Sequence, residues 1–208
     1  MRGYIPEEAP QLPQAMQLVY LPPTRPKEGL PTCMAVIVGG DEVGKSALYD
    51  KIIHNISPGK VQPMCHYGYV NGYIVLFESS SHSPVNLQLI DGSPHPYTET
   101  IYHGSRFIRD AQVLISVFSV DDLASFTTAC TYIRSLDDFT RDSLEILLVG
   151  TRNDRPGRQV SVEEGEAAAL NMGVFYLDTT ATGDDNSVIK AKLEEVVEKY
   201  LSTKKLEE

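Results

Sequence analysis

Eight consecutive residues, Gly39-Gly40-Asp41-Glu42-Val43-Gly44-Lys45-Ser46, spell G-x-x-x-x-G-K-S, a spacing suited to gripping a polyphosphate. Gly44 lets the main chain approach phosphate oxygens. The N–H groups of the loop, continuing through Ala47, surround the anion at a helix N-terminus. Lys45 reaches the outer phosphates, and the Ser46 hydroxyl can ligate magnesium. Average residue frequencies produce such a string in roughly one chain of this length per hundred, so its setting matters. The apolar run at 34–38 enters the loop directly and a helical pattern at 47–55 leaves it, the strand-loop-helix order the chemistry requires.

The elements that must hold this loop are legible as an alternation. Apolar runs at 34–38, 85–90, 113–120, 144–149 and 174–177 have the continuous character of strands buried on both faces. Helical patterns separate them, which implies a parallel sheet covered by helices. Residues 73–79 precede 85–90 across a Ser-rich turn and are expected to form a hairpin with it. Leu123, Phe126, Cys130, Ile133 and Leu136 fall on one face of a helix following Asp121 and Asp122, which places Cys130 in the core. Ser161 with Glu164 is a capping box ahead of an alanine-rich helix through Asn171. Ile189, Leu193, Val196, Val197 and Tyr200 form the stripe of a last helix, with residues 184–186 available as its cap. Seven of the thirteen prolines lie in the first 31 residues, so 1–31 is expected to be an extended arm. A single domain is expected over 32–202, with 203–208 a short charged tail.

Composition bounds the function. The 208 residues suit one domain, and 22% charged with 42% hydrophobic residues is the mixture of a folded globular protein. Acidic residues exceed basic ones, 28 against 18, for a net charge of −10, which argues against capture of a nucleic acid polymer. Cys33, Cys65 and Cys130 are neither a disulfide framework nor a zinc set, so a reducing cytoplasm is the expected compartment. His54, His66, His82 and His103 lack metal spacing. No signal peptide or membrane span is expected. The absence of a cysteine in 199–208 leads to the expectation of no direct lipid anchor.

Beyond the phosphate loop, the chain carries Asp91 at a strand end, Val117-Phe118-Ser119-Val120-Asp121-Asp122 with Ser125-Phe126, and Leu148-Val149-Gly150-Thr151-Arg152-Asn153-Asp154. With the loop's early position, these motifs make residues 32–201 resemble Ras-superfamily small GTPases, nearest the Ras branch. The resemblance implies a P-loop α/β fold, a mostly parallel six-stranded sheet flanked by five helices, with GDP or GTP and magnesium at the strands' carboxyl ends. Gly39, Asp91, Thr151 and Thr180 all follow expected strands, where open α/β sheets bind ligands. By resemblance, Ser46 and Asp91 hold magnesium. Thr151, Arg152 and Asp154 stand at the base-recognition motif Asn-Lys-x-Asp, and Thr180-Ala181-Thr182 at Ser-Ala-Lys. Asp154 would accept two hydrogen bonds from the guanine edge, Arg152 would stack on the base, and the Ala181 N–H would meet the guanine carbonyl. Thr151 is too short to copy the asparagine fully.

The departures bear on hydrolysis. The family's Asp-x-x-Gly is Asp91-Gly92-Ser93-Pro94, and proline has no N–H to offer a third phosphate. A hydrogen bond to a charged group is worth about 1.5 to 3 kcal/mol, so GTP and GDP should be told apart poorly. His95 replaces the glutamine that orients water. A histidine could act as a base there, but its place between Pro94 and Pro96 makes a solvated turn residue the simpler reading, so His95 stays a candidate only and no catalytic residue is assigned. No threonine lies between Thr32 and Thr98 to cover magnesium, and Ser57, by spacing, stands where the family has an aromatic beside the base. The expectation is an atypical small GTP-binding protein of signalling or trafficking, at most a weak GTPase. The alternative is a pseudo-GTPase adaptor. A nucleoside kinase would need a lid with arginines, and the only dense set, Arg152, Arg155 and Arg158, sits where a base-side loop is expected. Protein partners are expected on the switch-like segments and on Tyr67, Tyr69 and Tyr73.

Overall fold

The computed structural model describes residues 27–56, 61–66, 70–77, 84–91, 108, 110–182 and 187–204. The strands are β1 (Thr32–Gly39), β2 (Val61–His66), β3 (Val70–Phe77), β4 (Val85–Asp91), β5 (Val113–Ser119), β6 (Glu145–Thr151) and β7 (Phe175–Asp178). The described helices are α1 (Lys45–Ile56), α2 (Leu123–Ser135), α3 (Asp138–Asp142), α4 (Val162–Met172) and α5 (Ser187–Lys204). One sheet runs β2-β3-β4-β1-β5-β6-β7. β1 pairs parallel with β4 and β5, β5 with β6, and β6 with β7. β3 is antiparallel to both β2 and β4, so the expected hairpin is present.

Among the described residues the sheet has seven strands and not the expected six. The extra one is β2, a stretch whose alternation is interrupted by Pro63. A strand carrying proline is tolerated at a sheet edge, where a missing N–H breaks no second ladder, and β2 is the edge.

Alternation along β1 explains why its apolar run is continuous. Cys33, Ala35 and Ile37 face a core completed by Leu48, Tyr49, Ile52 and Ile53 of α1 and by Ile189, Leu193, Val196 and Val197 of α5. Val36 and Val38 face the other core with Ala129, Cys130 and Ile133 of α2 and Ala169 and Met172 of α4. Cys130 is buried as expected. Leu123 is not. It is 51% exposed, because it is the first residue of α2 and the buried face of that helix begins at Ser125 and continues through Ala129, Cys130 and Ile133. The Ser161–Glu164 capping box is formed, and Gly173 ends α4 in the left-handed conformation. The expected cap at 184–186 lies outside the described residues.

At the amino end of the sheet, Asn86 is buried and its side chain grips residues 27–30. It accepts from Lys27 N at 3.0 Å and donates to the carbonyls of Lys27 at 3.0 Å and Leu30 at 3.4 Å. At the carboxyl end, register aligns Ile37 with Asp91, Gly39 with Val117, Ser119 with Thr151 and Gly150 with Asp178. Strand ends far apart in the chain thus share one rim. β1 is where the strand order reverses, the place at which such sheets leave a crevice.

Candidate functional site

The loop 39–46 sits at that reversal. Gly39 is pressed against β5: a Cβ there would stand 2.4 Å from the Val117 carbonyl oxygen. Gly44 has φ +91°, a conformation L-residues rarely adopt. Glu42 also lies in the left-handed region, at φ +57°, unusual for a residue with a side chain. Asp41 and Glu42 are exposed, whereas Val43 is buried in the α1-side core. The Leu48 N–H donates to the Gly44 carbonyl at 2.9 Å, so the amides of Lys45, Ser46 and Ala47 precede the helical ladder. No carboxylate occupies the first turn of α1, and Ser46 and Ala47 are exposed there.

Lys45 is buried and its ammonium donates to the Gly40 carbonyl. Burial lowers its pKa, opposed by the charges of Asp91 and then Asp41. Asp91, 6% exposed at the end of β4, therefore lies within electrostatic reach of Lys45. The structure thus brings the loop and Asp91 together.

The base-side motifs meet the same loop from the other side. Thr151 is buried, and its hydroxyl lies within hydrogen-bond reach of the Val43 carbonyl and, at 3.0 Å, of the Phe118 carbonyl. One short side chain thereby ties the end of β6 to the phosphate loop and to β5. Arg152 follows with φ +61°. The two oxygens of Asp154 accept from the hydroxyls of Thr180 at 2.6 Å and Thr182 at 2.8 Å. These bonds hold its carboxyl below the usual aspartate range. Each oxygen has a further lone pair. Thr182 N donates to the Thr180 hydroxyl at 3.1 Å, closing a compact turn with Ala181 between.

The arginine set divides. Arg158 makes two bonds to Asp178, at 2.8 and 3.0 Å, and Asn153 a third at 2.8 Å. Arg155 approaches Asp121 at 3.9 Å. Two of the three arginines thus turn from the base-side loop to β7 and to the turn after β5, which does not suit a lid. Residues 92–100, with Pro94, His95 and Pro96, and Ser57, Tyr67 and Tyr69 lie outside the described residues. Tyr73 is opposite Pro63 in β2 and Leu89 in β4.

Sequence reasoning missed Lys51 and the Asn153–Asp178 pairing. Lys51 had a signal, since it is a lysine within the α1 stripe formed by Leu48, Tyr49, Ile52 and Ile53. The bracing set had none, being ordinary polar residues of a loop and of the end of a distant strand.

The profile of the Ras family matches residues 34–202. The chain belongs to the Ras family. It is 26% identical over 172 residues, covering 82% of this chain and 77% of the relative, to the Ras-related protein SEC4 of Saccharomyces cerevisiae. Ras-family proteins are small GTPases that bind guanine nucleotides with magnesium and act through effectors and regulators. Among the described residues no helix is long and apolar enough to cross a membrane.

Proposed function

We propose that this Ras-family chain is an atypical small GTP-binding protein that holds GDP or GTP and hydrolyses GTP slowly or not at all. One observation carries the reading. Thr151 ties the glycine-bounded loop containing Lys45 to the loop bearing Asp154, which supports reading the two loops as the phosphate and base sides of one nucleotide site.

In this reading Gly39, Gly40, Asp41, Glu42, Val43, Gly44, Lys45, Ser46 and Ala47 enclose the phosphates through main-chain N–H groups and the lysine ammonium. Asp154 and the Ala181 N–H address the guanine edge, Arg152 its face, and Thr180 and Thr182 hold Asp154. Ser46 and Asp91 offer the hydroxyl and carboxylate oxygens that magnesium accepts, and these would hold it. Among the described residues no group of three or more His, Cys, Asp or Glu is placed to hold a metal, so phosphate oxygens and water would complete the shell. Bound magnesium supplies neutralisation of phosphate charge. Slow hydrolysis rests on Pro94, His95 and the missing threonine. A residue that positions or activates the nucleophile contributes about 10² to 10⁴ in rate.

The cellular role assigned is signalling or trafficking in the cytoplasm, with protein partners on the switch-like segments and the tyrosines at 67, 69 and 73. The G domain is assigned to 32–202, with arm 1–31 and tail 203–208. The adaptor alternative draws support from β2: part of the stretch between α1 and β3, where the resembled family needs a sensing threonine, is a strand paired to β3.

The test has two parts. Denaturing the purified protein and chromatographing the released nucleotide should yield GDP or GTP. Phosphate release under excess magnesium and GTP should be slow, and fast unaided release would sink the slow-hydrolysis reading.

A further inference from the structure

Lys51 belongs to no nucleotide motif, yet it is 5% exposed in the second turn of α1. Burying an ammonium is costly unless it is hydrogen-bonded. Its Nζ donates to the carbonyls of Thr180 at 3.0 Å and Thr182 at 3.3 Å, 129 and 131 residues away. Two of its three donors thus go to one turn, on the helix that begins at the phosphate loop.

We propose that Lys51 is a positioning residue for the nucleobase, aiming the Ala181 N–H and the Asp154 carboxylate from behind. The proposal rests on the guanine-nucleotide reading above. Peptide units are planar, and among the described residues none is cis, so the Thr180 carbonyl and the Ala181 N–H point to opposite sides of the backbone. Lys51 draws that carbonyl toward α1, and the Ala181 N–H therefore projects away from α1. The same grip on Thr182 holds the turn whose two hydroxyls bond Asp154. A main-chain donor is thereby set beside a carboxylate acceptor. Guanine presents a carbonyl next to an N–H and complements that pair; adenine presents an amino group at the same edge and opposes it.

The experiment compares equilibrium binding of GDP and ADP to the full chain, wild type against Lys51→Met and Lys51→Arg, with thermal melts alongside. Lys51→Met should lower the GDP-over-ADP preference about tenfold while changing ADP affinity within a factor of ~2, the scale of one or two neutral hydrogen bonds. Lys51→Arg should keep most of the preference, because its fork can donate to both carbonyls. A general loss of packing would weaken both nucleotides and leave their ratio alone. An unchanged ratio in Lys51→Met, against a selective wild type, overturns the proposal and leaves the nucleotide reading standing. A wild type that binds neither nucleotide, or both alike, overturns that reading and this proposal together. Should Lys51→Met not fold, Lys51→Gln takes its place: a partial loss of preference supports the role, and a wild-type ratio rejects it.

Discussion

The segment proposed to hold the phosphates is one contiguous stretch, residues 39–47, running from the end of the central strand β1 into the start of α1. The region proposed to meet the base is built from two loops, 151–158 and 180–182, held by side chains: Thr151 on Val43 and Phe118, Arg158 and Asn153 on Asp178, two threonines on Asp154, and Lys51 on the Thr180 and Thr182 carbonyls. The first end is shaped by backbone conformation and steric fit, the second by a polar network partly open to solvent. A steric fit fails all at once when filled, whereas a network loses one bond at a time. Substitutions should therefore do graded damage at the base end and abrupt damage at the phosphate end.

The largest effect expected is from Gly39→Val. Its Cβ would be forced against the Val117 carbonyl, backbone of a central strand that cannot swing aside. A loss of about 3 kcal/mol in stability is expected, the upper range for overpacking, together with loss of nucleotide. A urea-unfolding midpoint equal to wild type would break the comparison. Lys45→Ala comes next: removing one charge-assisted hydrogen bond should weaken GDP binding by a factor of roughly 10 to 150, read by calorimetry.

Thr151→Val sharpens the contrast because this residue touches both ends. It keeps the shape and removes the donor facing the Val43 and Phe118 carbonyls. A cost of about 1 to 3 kcal/mol is expected for buried acceptors left unsatisfied, with GDP binding weakened as well. Chemical denaturation with and without GDP separates the two. If stability falls and GDP binding holds, the two ends act independently and the tie between them is structural only.

Thr182→Ala should have the smallest effect, about 1 kcal/mol or less in GDP binding. Its clearer signature is the titration of Asp154. The hydroxyls of Thr180 and Thr182 favour the ionised carboxyl and lower its pKa. Their contribution is fully present above the ordinary aspartate range and is lost as pH falls through the lowered folded value. Removing Thr182 should move that loss upward toward the ordinary range, measured by carbon NMR of the Asp154 carboxyl. No movement would mean that the bond is idle in solution.

Elements set by local pattern are legible in the sequence: β1 with its buried run, the Ser161–Glu164 cap, and the α5 stripe of Ile189, Leu193, Val196 and Val197, all buried. Those depending on distant partners are not. β2 carries Pro63 and exists through its ladder to β3, which no window of its own residues announces. α3 is five residues with no buried side chain, too short to show a period. Leu123 fits the α2 stripe by spacing but stands ahead of the buried face.

The phosphate loop can be read in one dimension because its chemistry needs neighbours in sequence: glycine, lysine and serine at fixed offsets, a strand before and a helix after. The seventh strand, the Thr151 tie, the threonine pair on Asp154 and the seat of Lys51 were decided by the tertiary structure. Their contacts reach across more than a hundred residues in the cases of Thr151 and Lys51, and the spacing of residues along a chain does not specify which loops meet. Strand order and register do, by bringing the carboxyl ends of β1, β5, β6 and β7 to a common rim where short polar side chains can reach one another.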